Sequence, residues 1–323
     1  MTMESTYKKE NVSIFNHSWQ IIANPNALSH SCFKHWEEIA CKLDELQLDY
    51  EFHITDEPEA GRQLAVELCR KGYCYLMAMG GDGTVNQVVD GIMCSGVPTE
   101  EVYLAVLPLG TGNDWCRTHK YPRPYMESIN IFLRGQFLRH DVGVVDCMKD
   151  GKVTSSHHFI NIAGFGFDAA IIHRTSRSGF RINLKAVYLL TLLKVLFSHK
   201  AQKIRIRTER ESVEEDLFTI AVGNCRFNGN GMQQVPMANP TDGLFNIMRL
   251  RKISPFKVIA NIKNLYAGDL LHLGEITYSE ASDIWITSVS EKNVLGEIEG
   301  DTLPTADYHI RMLPHALNML TGL

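Results

Sequence analysis

Two glycine-rich runs hold the residues of this chain best suited to chemistry. The first, Gly80-Gly81-Asp82-Gly83-Thr84, follows the apolar run Tyr73–Ala78 and opens a segment whose apolar positions Val85, Val88, Val89 and Ile92 keep the helical period. Glycines between a buried strand and a helix let the backbone come close to a ligand, and the first N–H groups of the helix favour an anion such as phosphate. Asp82 puts a carboxylate where a plain anion site would avoid one, which makes sense if a divalent cation or a proton transfer accompanies the phosphate. The second run, Pro108-Leu109-Gly110-Thr111-Gly112-Asn113-Asp114, ends the apolar segment Val102–Leu107 one helix-plus-strand unit later. Turns after successive parallel strands share one edge of the sheet, the edge where such sheets bind ligands. Asn24-Pro25 ends a further short strand there, as a turn former or as part of a ligand site. Asp82 and Asp114, on neighbouring loops, repel one another unless a cation or a shared proton compensates, and Mg²⁺ bridging phosphate oxygens would do so.

The elements that must position these residues alternate through the first part of the chain. Trp19–Ala23 and Tyr50–Ile54 read as strands. The segment from Ser31 to Leu46 and the segment Pro58–Arg70 read as helices, and the two strand–turn–helix units follow. This repetition predicts an α/β domain over residues 17–137, with a parallel sheet covered by helices on both faces. Near Phe137 the pattern changes. Strands are expected at Gly143–Met148, His158–Ala163, Lys203–Thr208, Leu217–Val222, Leu244–Leu250, Ile284–Val289, Leu295–Glu299 and Tyr308–Leu313. Two helices interrupt them, near Ile182–His199 and Pro255–Ala267. Many short strands of this kind predict a mainly β, sandwich-like domain over residues 138–313.

The composition, 45% hydrophobic and 21% charged, is that of a globular protein, and the net charge of −5 argues against a nucleic-acid partner. No CxxC pair occurs among the eight cysteines, and the N-terminal residues hold no apolar run of signal-peptide length. A reducing, cytoplasmic setting is expected. The longest apolar stretch, Ile182–Phe197, is interrupted by Asn183, Lys185, Thr191 and Lys194, so no transmembrane segment is expected. That stretch is either a core helix or an interfacial element that admits an acyl chain. Exposed strand edges in the second domain leave a homodimer open.

The pairing of GGDGT with PLGTGND resembles the diacylglycerol-kinase-like lipid kinases, in particular the soluble bacterial type related to sphingosine and ceramide kinases. NAD kinases share the first run but not the second in this form. The resemblance runs from Asn24-Pro25 to the C-terminus and implies the same two-domain plan, with residues 314–323 packing back on the first domain. It implies an ATP- and Mg²⁺-dependent kinase that acts on a lipid hydroxyl at the membrane surface, cytoplasmic or peripheral at the inner face. The nucleotide would be held by Asn24, Pro25, Gly80, Gly81, Asp82, Gly83, Thr84, Gly110, Thr111, Gly112, Asn113, Asp114 and Asp301. Asp141, in Arg139-His140-Asp141-Val142-Gly143, matches the family's Asp-x-Gly and would join Asp82 and Asp114 around the metal; as a plain turn former it would cap. Asp242, in Pro240-Thr241-Asp242-Gly243, matches a second, structural Mg²⁺ site, although Asp-Gly is also a turn signal by itself. Where the family reads Asp-Gly-Glu, this chain reads Glu299-Gly300-Asp301, the two acids exchanged in length. By resemblance Glu299 is the general base on the lipid hydroxyl, Asp82 serves catalysis beside the metal and Asp301 lies near the nucleotide. Gly164-Phe165-Gly166-Phe167-Asp168 resembles a further family motif, in which Asp168 could simply cap a helix. The alternatives are a kinase of a soluble substrate such as NAD, or a nucleotide- or lipid-binding regulator without catalysis.

Overall fold

The computed structural model describes residues 9–24, 32–55, 57, 59–110, 112–122, 125–177, 185–290 and 293–323. Pro25, Thr111, Ser31 and the start of the apolar stretch at Ile182 lie outside the described residues. The chain divides into two compact units. One comprises Met1–Val142, Pro240–Gly243 and Leu313–Leu323, the other Gly143–Asn239 and Leu244–Met312.

The first unit is built from β1 (Lys9–Asn11), β2 (Trp19–Ala23), α1 (Cys32–Glu45), β3 (Tyr50–Ile54), α2 (Ala60–Arg70), β4 (Tyr75–Gly80), α3 (Asp82–Cys94), β5 (Tyr103–Pro108), α4 (Asp114–Thr118), α5 (Tyr125–Arg134) and the first residues of β6 (Gln136–Lys149). Strands β3, β2, β4 and β5 lie side by side in parallel, with Ala23 beside Met79 and Gly80 beside Pro108. Leu76–Met79 and Leu104–Leu107 are buried without alternation, as strands covered on both faces must be. Asn318 and Met319 continue the sheet parallel to Tyr103 and Leu104. Helix α3 buries Val85, Val88, Val89 and Ile92. Gly91 lets it pack closely on α2, where a methyl group would meet the Arg62 carbonyl and come 2.7 Å from Ala65 Cβ.

The second unit holds the rest of β6, then β7 (Lys152–Phe159), β8 (Ile162–Gly166), α6 (Phe167–Arg177), α7 (Lys185–Ser198), β9 (Gln202–Thr208), β10 (Ser212–Gly223) and β11 (Phe245–Arg251). These are followed by α8 (Pro255–Ala260), α9 (Ile262–Ala267), β12 (Ile276–Ala281), β13 (Asp283–Ser288), β14 (Gly296–Ile298), β15 (Asp301–Thr302) and the residues of β16 (Asp307–Leu320) up to Met312. Its strands pair antiparallel, and β10 is the hub, bonded to β8, β9 and β11. Ile204 and Ile206 are buried while Arg205 and Arg207 face out, the period-two signature of a strand wet on one side. Phe159, Phe165, Phe245 and Tyr308 anchor the sandwich-like core. The helix expected over Pro255–Ala267 is two short ones, because Asn261 leaves the helical conformation with φ −104 and ψ 9. Among the described residues no helix is long and apolar enough to cross a membrane.

Candidate active site

Three strand ends of the first unit set the position of the site. The Asn24 amide, just past β2, donates to the Met79 carbonyl at 3.2 Å, and the Leu109 amide, just past β5, donates to the Gly80 carbonyl at 2.8 Å. The turns after β4 and β5 are therefore brought together. Gly81 caps α3 in an extended conformation, and a Cβ placed there would lie 3.2 Å from Gly110 Cα. A Cβ on Gly110 would strike Gly81 in turn and come 2.6 Å from Asn113 Oδ1. Each backbone thus occupies the space a side chain of the other would need, and only glycine allows it. Asn113 adopts the left-handed conformation, φ 50, and its Nδ2 donates to the Gly110 carbonyl at 2.8 Å. The amides of residues 82–84 begin α3 and have no carbonyl four residues back within the helix.

Asp82 locks the two turns. Its Oδ1 accepts from the Trp115 amide at 3.2 Å. Burial pushes its carboxyl above the usual carboxylate range, and the Asp114 charge adds to this against the backbone donors of Asn113, Asp114 and Trp115. Arg117 partly compensates: its Nε donates to Asp114 Oδ1 at 3.1 Å and its Nη2 to the Gly112 carbonyl at 3.1 Å. Behind them, Trp115 Nε1 donates to His140 Nε2 at 3.2 Å, while His140 Nδ1 donates to the Asp141 carbonyl at 2.5 Å. These bonds require the neutral ring, and full burial pulls the His140 pKa down to about 4.

Asp141 is completely buried and pinned by main-chain donors: the Gly243 amide reaches Oδ2 at 2.7 Å and the His315 amide reaches Oδ1 at 2.7 Å. Burial raises its pKa, and the charge of exposed Asp242 adds to the rise. Asp82–Asp114 and Asp141–Asp242 thus form two electrostatically coupled carboxylate pairs in one unit. Their donor atoms are all oxygen, the set a hard cation such as Mg²⁺ takes.

Glu299 and Asp301 belong to the second unit. Ile298 pairs with Asp301 across a two-residue turn in which Glu299 and Gly300 both have positive φ, 51 and 87. That is the hairpin turn that accepts Asp or Asn far more readily than Glu at its first position. Glu299 is held there because its Oε1 accepts from the Asn161 amide at 2.7 Å and the Ile160 amide at 3.2 Å. The extra methylene of Glu therefore has a structural consequence: the side chain reaches back to the end of β7.

Two further acids matter to this turn, Glu297, which the sequence did not single out, and Asp168 of the Gly164–Asp168 motif. Glu297 is 2% exposed, its Oε2 accepts from the Gly300 amide at 2.9 Å, and burial, with smaller contributions from the Asp168 and Asp301 charges, lifts its pKa to about 8. Asp168 is not a cap: its Oδ2 accepts from Gln234 Nε2 at 2.9 Å and Thr219 Oγ1 at 3.2 Å, and burial raises its pKa. Nothing in spacing marks Glu297, Arg117 or His140: Arg117 bonds within its own turn, and Glu297 and His140 owe their shifted pKa values to burial, which spacing does not show.

Comparison with known proteins agrees with this architecture. The diacylglycerol kinase catalytic domain matches residues 18–145, and the YegS C-terminal NAD kinase beta sandwich-like domain matches residues 161–321. A protein of Chromohalobacter salexigens named "Probable lipid kinase YegS-like" is 27% identical over 82% of this chain and 81% of its own length. A diacylglycerol kinase of Staphylococcus saprophyticus is 25% identical over 87% of this chain and 89% of its own. The crystal structure of a diacylglycerol kinase from Bacillus anthracis shares the fold, with a TM-score of 0.70 at 20% identity over 95% of this chain and 97% of that one. With both of its domains matched in order, this chain is a kinase and belongs to the diacylglycerol-kinase-like lipid kinase family.

Proposed function

We propose that the protein transfers the γ-phosphoryl group of ATP, with Mg²⁺, to the hydroxyl of a lipid such as diacylglycerol. The observation that carries this reading is the interlock of the two glycine turns, in which Gly81 and Gly110 touch backbone to backbone and Asp82 spans both. Such a nest presents main-chain N–H groups from residues 81–84, 110 and 112 to phosphate oxygens and admits no side chain that would fill the cradle. Asp82 and Asp114, with Asp141, would surround the Mg²⁺ of the nucleotide, and Asp242 would serve a second, structural one; the cation, when bound, offsets the charge of the transferring group. Asn24, Asn113 and Asp301 would border the nucleotide.

Phosphoryl transfer to an alcohol also needs a base, because the hydroxyl pKa lies far above neutrality. Glu299 takes this role: two backbone amides fix its carboxylate in place. Glu297, with a pKa near 8, keeps its own proton at neutral pH and cannot accept another. The protein would work on the cytoplasmic side, at the membrane face where its lipid lies.

The test is incubation with γ-labelled ATP, Mg²⁺, a lipid panel and NAD. Label in the organic phase supports the reading; label on NAD, or none, sinks it. Glu299→Gln keeps an acceptor oxygen for the Ile160 and Asn161 amides but cannot take a proton. Lipid turnover should fall about 10²–10⁴-fold with an unchanged KM for ATP, and full turnover would remove Glu299 from the role of base.

A further inference from the structure

Helix α8, with Ile253 just before it, is apolar on its inner side, and α8 and α9 are apolar on their outer side as well, which their packing does not require. Inward, Ile253 and Val258 pack on the cluster of Val195, Leu196 and Phe218 that seats α7. Outward, Phe256, Ile259, Ile262 and Tyr266 face solvent, with Phe256 73% exposed, and Leu271 follows at 62%. Phe197 of α7 joins them, its ring 5.5 Å from that of Phe256. The outer face of a surface helix is ordinarily polar, and a contiguous exposed apolar patch marks a contact surface.

The charges around this patch indicate what it contacts. Lys194, Lys200, Lys252 and Lys263 are exposed, and no ion pair involves them among the described residues. Lys257 neutralises Glu275 at 2.6 Å, which leaves Asp269 beside Leu271 and Asp216, whose carbonyl accepts from the Lys252 amide, as acids against the four lysines. A chain of net charge −5 therefore carries a locally basic rim around an aromatic-bearing apolar face. Phenylalanine and tyrosine with flanking lysines suit the boundary between acyl chains and anionic headgroups.

We propose that the α8–α9 face, with Phe197, docks the protein onto an anionic lipid bilayer. This deepens the lipid-kinase reading and rests on it for its purpose, though not for its test. The full chain is sedimented with phosphatidylcholine vesicles with and without phosphatidylglycerol. Phosphorylation of lipid in detergent mixed micelles, where no bilayer is needed, is measured in parallel. Binding should require phosphatidylglycerol and weaken with added salt. Lys252→Gln together with Lys263→Gln should weaken it about 25-fold, roughly fivefold per lysine. Phe256→Ser together with Tyr266→Ser should weaken it at least tenfold, and both double variants should keep their micellar activity. Wild-type protein that ignores phosphatidylglycerol vesicles, or variants that bind as well as wild type, would overturn the proposal. So would a homodimer that the Phe256/Tyr266 variant breaks apart, since the face would then belong to a second copy. Vesicle binding without phosphorylation of any lipid supports the docking face and refutes only the proposed phosphorylation of a lipid.

Discussion

Glu297 offers a measurable test of how dry the second unit is around the Glu299 turn. Below about pH 4.5 its carboxyl is protonated in folded and unfolded chains alike, so ionisation costs nothing. Above that, the unfolded chain releases the proton while the folded chain keeps it until about pH 8. The unfolded state gains about 1.4 kcal/mol per pH unit across this window. Stability is thus fully present below the unfolded pKa and drains away as pH rises toward 8. Between about pH 5.5 and about pH 8 the loss amounts to roughly 3 kcal/mol. Glu297→Gln retains an acceptor for the Gly300 amide and abolishes the titration, while the other buried acids titrate in both proteins and cancel in the comparison. For cooperative unfolding at about 2.1 cal/mol/K per residue over 323 residues, the melting temperature of wild type relative to the variant should fall by roughly 4–5 °C across that interval. The assay is a pair of thermal melts at each pH. A difference that stays constant with pH would show that Glu297 titrates as an ordinary carboxyl and that its surroundings admit water.

Two further variants dissect the glycine turns. Asp82→Asn keeps an oxygen to accept the Trp115 amide, whereas Asp82→Ala leaves that amide without it. The Asn variant should lose at least about a hundredfold in turnover with little change in melting temperature, while the Ala variant should lose activity and about 1–3 kcal/mol of stability; equal melting temperatures for the two would show that the bond across the turns contributes nothing. Gly110→Ala places a methyl group against Gly81 and 2.6 Å from Asn113 Oδ1, so ATP affinity measured by calorimetry should drop at least tenfold, and undiminished affinity would remove the backbone nest from phosphate binding.

The parallel half of the fold could be read directly from the residues. Strands β4 and β5 appear as unbroken apolar runs because both faces of that sheet are covered, and glycine follows each because the backbone must turn sharply into a helix. Short-range rules sufficed for both turns and for the alternation in β9. They failed where the signal was weak or interrupted: β12, whose Ile-Thr-Tyr-Ser-Glu-Ala is half-polar, the short α4, α5, and the break at Asn261. The placement of Pro240–Gly243 in the first unit, where Gly243 donates to Asp141, also has no local sign.

By itself, the sequence determined which backbone segments can approach a phosphate and which side chains carry carboxylates, since glycine freedom and acid identity are properties of single residues. Only the tertiary structure decided what those acids experience. Asp82 accepts a bond from an amide 33 residues away, Asp141 from one 174 residues away, and Glu299 from one 138 residues away. Desolvation and hydrogen bonding set the behaviour of a carboxylate, and both are supplied by whichever distant segments fold around it.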